Sequence, residues 1–201
     1  MTASTQRNYG GQSAESRRAK RRQQLLETGL ELLGTVGLPG LTVRGVLDHA
    51  QLAPRYFYEN FQHIDELAVA VFEQLMVEMT QTGLAAVADT GQGLRKRIRA
   101  GLDAIARLLT EDPRKGRVLL VESVASPVLA PLRHQAGRAL AGLVAQQADG
   151  NPGDPVATAV TARFLVGGFS ETLAALIQDG DLGDRDAVVD RCTELFLACV
   201  R

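Results

Sequence analysis

Apolar residues return every three or four positions along almost the whole chain. Leu25, Leu26, Leu30 and Leu33 set the rhythm in the first fifth, and no period-two run interrupts it later. That spacing is the helical one, so the pattern predicts an all-α chain. The stops and starts are equally regular. Asp112-Pro113, Ser126-Pro127 and Asp154-Pro155 each set a capping side chain before a proline. Such a pair starts a helix well, because the cap oxygen takes an orphan N–H and proline has none to lose. Ala53-Pro54 repeats the pattern with a residue that cannot cap. Gly37, and the pair Gly91 and Gly93, mark breaks. About nine helices follow, at 14–35, 43–49, 54–60, 64 to the mid-80s, 94–110, 113–125, 127–148, 155–178 and 184–200. "DGNPGDP" at 149–155 is the clearest loop, and residues 1–13 read as a disordered basic arm.

Composition narrows the class. The chain is 45% hydrophobic and 22% charged, the balance of a globular protein. No uninterrupted apolar run approaches the 18 or so residues of a membrane span, so no membrane partner is expected. The first 24 residues are polar and basic, without the apolar segment of a secretory signal. Two cysteines make no disulfide framework. A cytoplasmic protein is the expectation. Net charge is −1, but it is unevenly spread: residues 1–65 hold 8 Lys/Arg against 6 Asp/Glu, and residues 66–201 hold 14 against 17. The front-loading suits a chain whose N-terminal part meets a polyanion, and equally a solvated arm.

Catalytic chemistry finds no foothold. His49, His63 and His134 are isolated in sequence, and no phosphate-cradling glycine loop occurs. Neither an enzyme nor a metal or cofactor site is expected. Cys192 and Cys199, seven apart, share an apolar stripe with Val188 and Leu195 and read as small hydrophobes.

One stretch stands out. Tyr56, Phe57, Tyr58 and Phe61 are four of only nine aromatic residues, and they fall within six positions. On a helical wheel Phe57 and Phe61 share a face with Pro54 and anchor inward, while Arg55, Tyr56, Glu59 and Asn60 face the other way and Tyr58 sits at the boundary. The preceding segment puts Val43, Val46, Leu47 and Ala50 on one face after the cap Thr42, with Arg44 pointing elsewhere. Two short helices of this kind read as a helix-turn-helix whose second member enters a major groove. Arg55 has the reach for a guanine edge and Asn60 for an adenine or a phosphate. The plain alternative is that Tyr56 and Tyr58 pack on a neighbouring helix.

Residues 17–72 resemble the DNA-binding domain of the TetR family of transcriptional regulators. The resemblance rests on a basic start, an amphipathic first helix and "LLGTVGLPGLTVRGVLDHAQLAPRYFYENFQHIDELAVAVF", with Thr42, Tyr58, Phe61 and Leu67 in register. It implies a three-helix DNA-binding domain over 14–63 and a helical ligand-binding and dimerisation domain over 64–201. By position it implies DNA contact for Arg55, Tyr56, Tyr58 and Asn60, with Thr42 and Arg44 near the backbone. Arg17, Arg18 and Arg21 add further phosphate contacts. The chain departs from the pattern at Gln51 (usually Gly), Ala53 (usually Ser) and Ile64 (usually Lys).

The implied function is a homodimeric regulator, a repressor released from a pseudo-palindromic operator of double-stranded DNA by an unidentified small-molecule effector. Candidate effector contacts are Phe72, Met76, Arg117, Glu122, Arg163 and Phe164. The candidate dimer surface joins Phe164, Gly167 and Gly168, on a helix apolar nearly all round, to Val188, Cys192, Leu195 and Cys199. Two other readings stay open: that apolar helix as the centre of a monomeric bundle, and the whole chain as a ligand-binding or interaction protein with a vestigial helix-turn-helix.

Overall fold

A computed structural model describes residues 14–91, 93–147, 154–178 and 182–199, and among them every regular element is helical. The arm 1–13 and most of the 149–155 loop lie outside the described residues. The elements are α1 (Ala14–Thr35), α2 (Gly37–Gly40), α3 (Val43–Ala50), α4 (Pro54–Tyr58), α5 (Ile64–Asp89), α6 (Leu94–Glu111) and α7 (Pro113–Gly116). A π-helical stretch (Arg117–Glu122) leads into α8 (Ser123–Ala125), and α9 (Ala130–Gln147), α10 (Pro155–Gln178) and α11 (Arg185–Cys199) complete the chain.

The caps explain the boundaries. Thr42 Oγ1 accepts from the Gly45 amide at 3.0 Å, which starts α3. That helix ends at Gln51, held left-handed at φ 53°, where the turn pattern usually has glycine. The Gln51 side chain donates back to the Asp48 carbonyl at 2.6 Å. Ala53 provides no side-chain cap, and α4 is only five residues long. Its successor is better started than its Ile64 suggests. His63 Nδ1 accepts from the Glu66 amide at 3.3 Å while the Glu66 carboxylate accepts from the Gln62 amide at 2.7 Å, a reciprocal cap on α5. Asp112 and Asp154 cap as expected, accepting from the Arg114 and Val156 amides, whereas Ser126, accepting from the Leu129 amide, opens a turn rather than the helix expected from Pro127. The chain after Ser126 turns through 127–129 before α9 settles at Ala130.

Two elements escape the sequence pattern. The four residues of α2 are too few to show a period, and the π stretch shifts the apolar rhythm inside the segment expected as one helix over 113–125. Gly37 opens α2 with φ 73°, and a Cβ there would stand 2.9 Å from both Glu122 carboxylate oxygens, so only glycine fits.

The core is continuous from one end to the other. Leu25, Val46 and Phe57 pack with Leu67 and Val71 of α5, whose far half meets Leu102 and Ala106 of α6, and the cluster runs on to Phe169 and Phe196. α5 lies along α6, α9 along α10, and α11 on α6. α1 packs against α3, α5 and α7. At its contact with α7 the helices nearly touch backbone to backbone: a Cβ on Gly34 would fall 2.7 Å from the Arg114 Cα.

α10 corrects one expectation. Pro155–Gln178 is long and apolar enough by composition to cross a membrane. Its Leu165, Phe169 and Leu173 nonetheless turn into the protein core, and Arg163 and Glu171 interrupt its outer side.

Candidate nucleic-acid interface and internal cavity

The inner layer of α4 is as the wheel requires, with one change. Phe57 is 0% exposed, and Phe61, one turn on, follows just beyond the helix end and is also buried. Their ring centroids are 5.8 Å apart, and Tyr58 meets Phe57 edge-on at 5.5 Å. Pro54, expected on this inner face, is exposed. It opens the helix at the surface, where its ring meets water rather than core.

The outer layer is a small cationic assembly. The Tyr56 ring has the Arg21 guanidinium 4.3 Å from its centroid and the Arg55 guanidinium at 4.6 Å. Arg55 also donates to the Tyr56 hydroxyl at 2.6 Å. That bond favours the charged guanidinium and raises the Arg55 pKa. Both guanidiniums lie within the distance at which an aromatic face attracts a cation. Arg18 donates to the Glu59 carbonyl at 2.6 Å, and Arg21 stands 3.5 Å from the Glu59 carboxylate. Both therefore fasten the start of α1 to the end of α4. Asn60 is likewise half-buried and committed, donating to the Tyr56 carbonyl at 2.8 Å. In this structure it closes the last turn of α4 rather than reaching outward. Besides Pro54, α4 turns Arg55 and the 62% exposed Tyr58 to solvent. Arg44 is exposed too, 3.6 Å from Asp48, while Thr42 spends its hydroxyl on the α3 cap. Arg17 is exposed on the first turns of α1.

Behind this end lies a polar joint. Arg114 donates to Glu31 at 2.6 Å, to Glu27 at 3.1 Å and to both Asp112 oxygens at 2.8 Å. The guanidinium holds the Asp112 carboxyl below its ordinary value, and Asp112 with Glu31 raises the Arg114 pKa in turn. Arg117 and Glu122, expected as ligand contacts, belong here instead. Arg117 donates to the Glu122 carboxylate at 3.1 Å and to the Thr35 carbonyl at 3.0 Å. The other Glu122 oxygen accepts from the Leu38 amide at 3.0 Å. Both ends of the π stretch thus bond the α1–α2 corner, so their side chains point away from the cavity.

The other side of the π stretch faces open space. Leu120 lines a chamber of about 210 Å³ walled by Met79, Leu102, Leu109, Phe169 and Phe196. With Leu119 it also lines an adjoining chamber of about 350 Å³. Phe72, Met76 and Arg163, three of the candidate effector contacts, line this second chamber. Phe164 does not: it is 72% exposed on the outside of α10. The lining residues that were not expected include Arg133, His134 and Arg138 of α9. A signal for them does exist, since α9 carries two arginines and a histidine without a single acidic residue.

The outer surface of α10 and α11 is apolar. Val156, Val160 and Phe164, spaced by four, are all more than half exposed, and Gly167 and Gly168 continue the line with nothing within 4 Å of an added Cβ. Leu195 and Cys199 are exposed on α11. Val188 and Cys192, expected beside them, are buried, because α11 turns that face onto the core. Burial alone pushes the Cys192 thiol pKa up, which leaves it a packed small hydrophobe.

No family model and no curated protein matches this sequence. Solved structures do match in fold. A TetR-like transcriptional regulator from Rhodococcus sp. RHA1 superimposes with a TM-score of 0.71 at 19% identity, covering 89% of this chain and 94% of that one. The fatty acid degradation regulator FadR from Bacillus halodurans gives 0.76 at 13% identity, over 88% and 94%. FadR from Bacillus subtilis, in complex with stearoyl-CoA, gives 0.72 at 14%, over 89% and 99%. The chain has the all-helical fold of TetR-like regulators along nearly its whole length.

Proposed function

We propose that this chain, built on the TetR-like fold, is a DNA-binding transcriptional regulator that works as a homodimer, with residues 14–63 reading DNA and 64–201 sensing a small molecule. The observation that carries the reading is the outer face of α4. A five-residue helix without a side-chain cap is anchored by two buried phenylalanines, and its exposed side presents Arg55 and Tyr58 with Tyr56 set between two guanidiniums. A solvated helix has no need of that arrangement; a helix seated in a major groove does. Arg17 and Arg44 flank it for phosphates. The outer line Val156, Val160 and Phe164 with Leu195 is the surface on which a second copy packs, bringing a second α4 to the other half-site.

Release works through the π stretch. One side of it touches the cavity through Leu119 and Leu120, and its ends bond Thr35 and Leu38 through Arg117 and Glu122. A molecule that spreads the cavity walls displaces Leu120 and, with it, the corner that sets the direction of α1. Binding then favours a spacing of the two α4 helices that misses the operator, which makes the protein a repressor acting in the cytoplasm.

Fluorescence anisotropy on DNA tiled across the region upstream of the protein's own coding sequence tests this. We expect binding that weakens by orders of magnitude between 50 and 200 mM salt. Tyr58→Ala should weaken it about tenfold or more with an unchanged melting temperature. Absence of binding to every fragment at low salt would discard the regulator.

A further inference from the structure

Of the arginines in the C-terminal body that make no ion pair with a described residue, three stand together, while Arg191 stands apart, exposed on α11. Arg95, Arg99, Arg107, Arg114, Arg117 and Arg185 each lie within ion-pair distance of a carboxylate. Arg133, Arg138 and Arg163 make no ion pair with any described residue, and all three line the larger chamber together with His134. Neither chamber has an Asp or Glu in its lining among the described residues. The smaller chamber is almost wholly apolar: Arg97 is its one charged lining residue, and Thr80 and Ser170 are its only hydroxyls. The two adjoin across shared walls that include Met79, Leu120 and Leu140. Methionine and leucine rotamers can change without loss of packing, and Met79 is the most adaptable of these side chains.

An apolar chamber beside a rim of unopposed arginines selects its ligand by two independent criteria. The chamber favours a methylene chain over anything hydroxylated, since it offers few partners for buried polar groups. The rim favours a negative head over a neutral one and disfavours a cation. We propose that the cavity binds an amphipathic anion, with an extended apolar chain in the Met79–Phe196 chamber and a carboxylate or phosphate head at Arg133, Arg138 and Arg163. This inference rests on the proposed regulator only for its consequence at DNA, not for the binding itself. The head belongs either to a free fatty carboxylate or to a fatty acyl thioester of a phosphorylated carrier. Both place negative charge at the same rim.

Calorimetry on the full chain with four ten-carbon probes decides it: decanoate, decanoyl-CoA, decanol and decyltrimethylammonium, all below their micellar range. At least one anion should bind about tenfold or more tightly than decanol, and the ammonium should not bind. Shortening the preferred anion by two methylenes should weaken it by about fifteenfold, the transfer term of two buried methylenes. Decanoyl-CoA well ahead of decanoate identifies the phosphorylated carrier as the source of the head; the reverse identifies the free acid. The variant Arg133→Gln/Arg138→Gln/Arg163→Gln should lose about tenfold or more for the anions and keep its decanol affinity. Decanol equal to both anions, a bound ammonium, or no binding by any probe overturns the proposal. So does unchanged anion affinity in the folded triple variant; should that variant not fold, the wild-type series alone decides.

Anisotropy on the same samples separates the two claims. Anion binding that leaves DNA affinity unchanged removes the effector-release reading and keeps the ligand class. Release of DNA by decanol as readily as by the anions removes the ligand class and keeps the regulator.

Discussion

Leu25, Val46 and Phe57 at one end of the molecule, and Met79, Leu102 and Phe196 at the other, are apolar side chains of similar size in one continuous core. The first three are each 0% exposed, and none of them lines either cavity. The second three stand around about 210 Å³ of space. Under the proposed function the same residue types would serve two opposite requirements. A reading surface needs its backbone fixed to a fraction of an ångström, which close packing supplies. A sensing chamber needs walls that can rearrange at small cost, which unfilled space supplies. Between them sits a joint made of charges and hydrogen bonds, whose bonds have direction where apolar packing has none.

The comparison breaks most visibly if the two ends respond alike to truncation. Phe57→Ala should cost about 3–5 kcal/mol in chemical denaturation and abolish DNA binding, because α4 has no cap to hold it otherwise. Leu143→Ala, half-buried in the wall of the existing space, should cost no more than about 2 kcal/mol, the low end for such a truncation. Equal losses would mean that the chamber is no looser than the reading end. Next in size is the joint. Glu122→Ala strands the Leu38 amide and the Arg117 guanidinium and should cost about 1–3 kcal/mol. Its sharper readout is coupling: probe affinity in calorimetry should persist while the response of DNA binding to that probe shrinks. A full response would remove the π stretch from the route.

Smaller effects refine the picture. Gln51 occupies a left-handed conformation, so Gln51→Gly should raise stability by about 0.5–1 kcal/mol at the α3–α4 turn, read as a higher denaturation midpoint. No gain would mean that the bond to Asp48 already offsets the strain. The smallest effect is a pH dependence. The folded Asp112 carboxyl is depressed below 3.8, chiefly by its bond to Arg114. Its contribution is therefore complete above the ordinary carboxylate value and disappears as pH falls through the lower folded value. The stability difference between wild type and Asp112→Asn should be constant near neutrality and shrink only below about pH 4. A difference that grows on acidification would contradict the depressed value.

Much of this was legible in the residues. Cap-and-proline pairs placed the starts at Pro113 and Pro155, because those signals act within four residues and need no tertiary context. Phe57 and Phe61 announced themselves as anchors through spacing alone. What stayed hidden depends on partners distant in sequence. Arg117 and Glu122 look like pocket residues until the α1–α2 corner is seen to receive them, 82 and 84 residues away. The contacts of Arg18 and Arg21 with Glu59, and of Asn60 with the Tyr56 carbonyl, were likewise invisible in the sequence. On α11, the apolar stripe was visible, but which of its two margins met the core was not, so Val188 and Cys192 were assigned outward with Leu195.

In the proposed regulator, Gly34 would give the DNA-binding end its mechanical gain. The backbones of α1 and α7 meet there so closely that a side chain of any size would wedge them apart. That contact is a fulcrum, and the rest of α1 is the long arm. From Gly34 to Arg18 the helix extends about 24 Å at its standard rise per residue. A tilt of about 10° at the fulcrum, well within the range of packed elements that switch, carries the Arg18–Glu59 clasp and α4 sideways by about 4 Å. In the proposed regulator, such a tilt would turn a small movement of the cavity wall into one large enough to miss a row of phosphates. Gly34→Ala would set the arm at a new angle without touching the DNA face or the cavity.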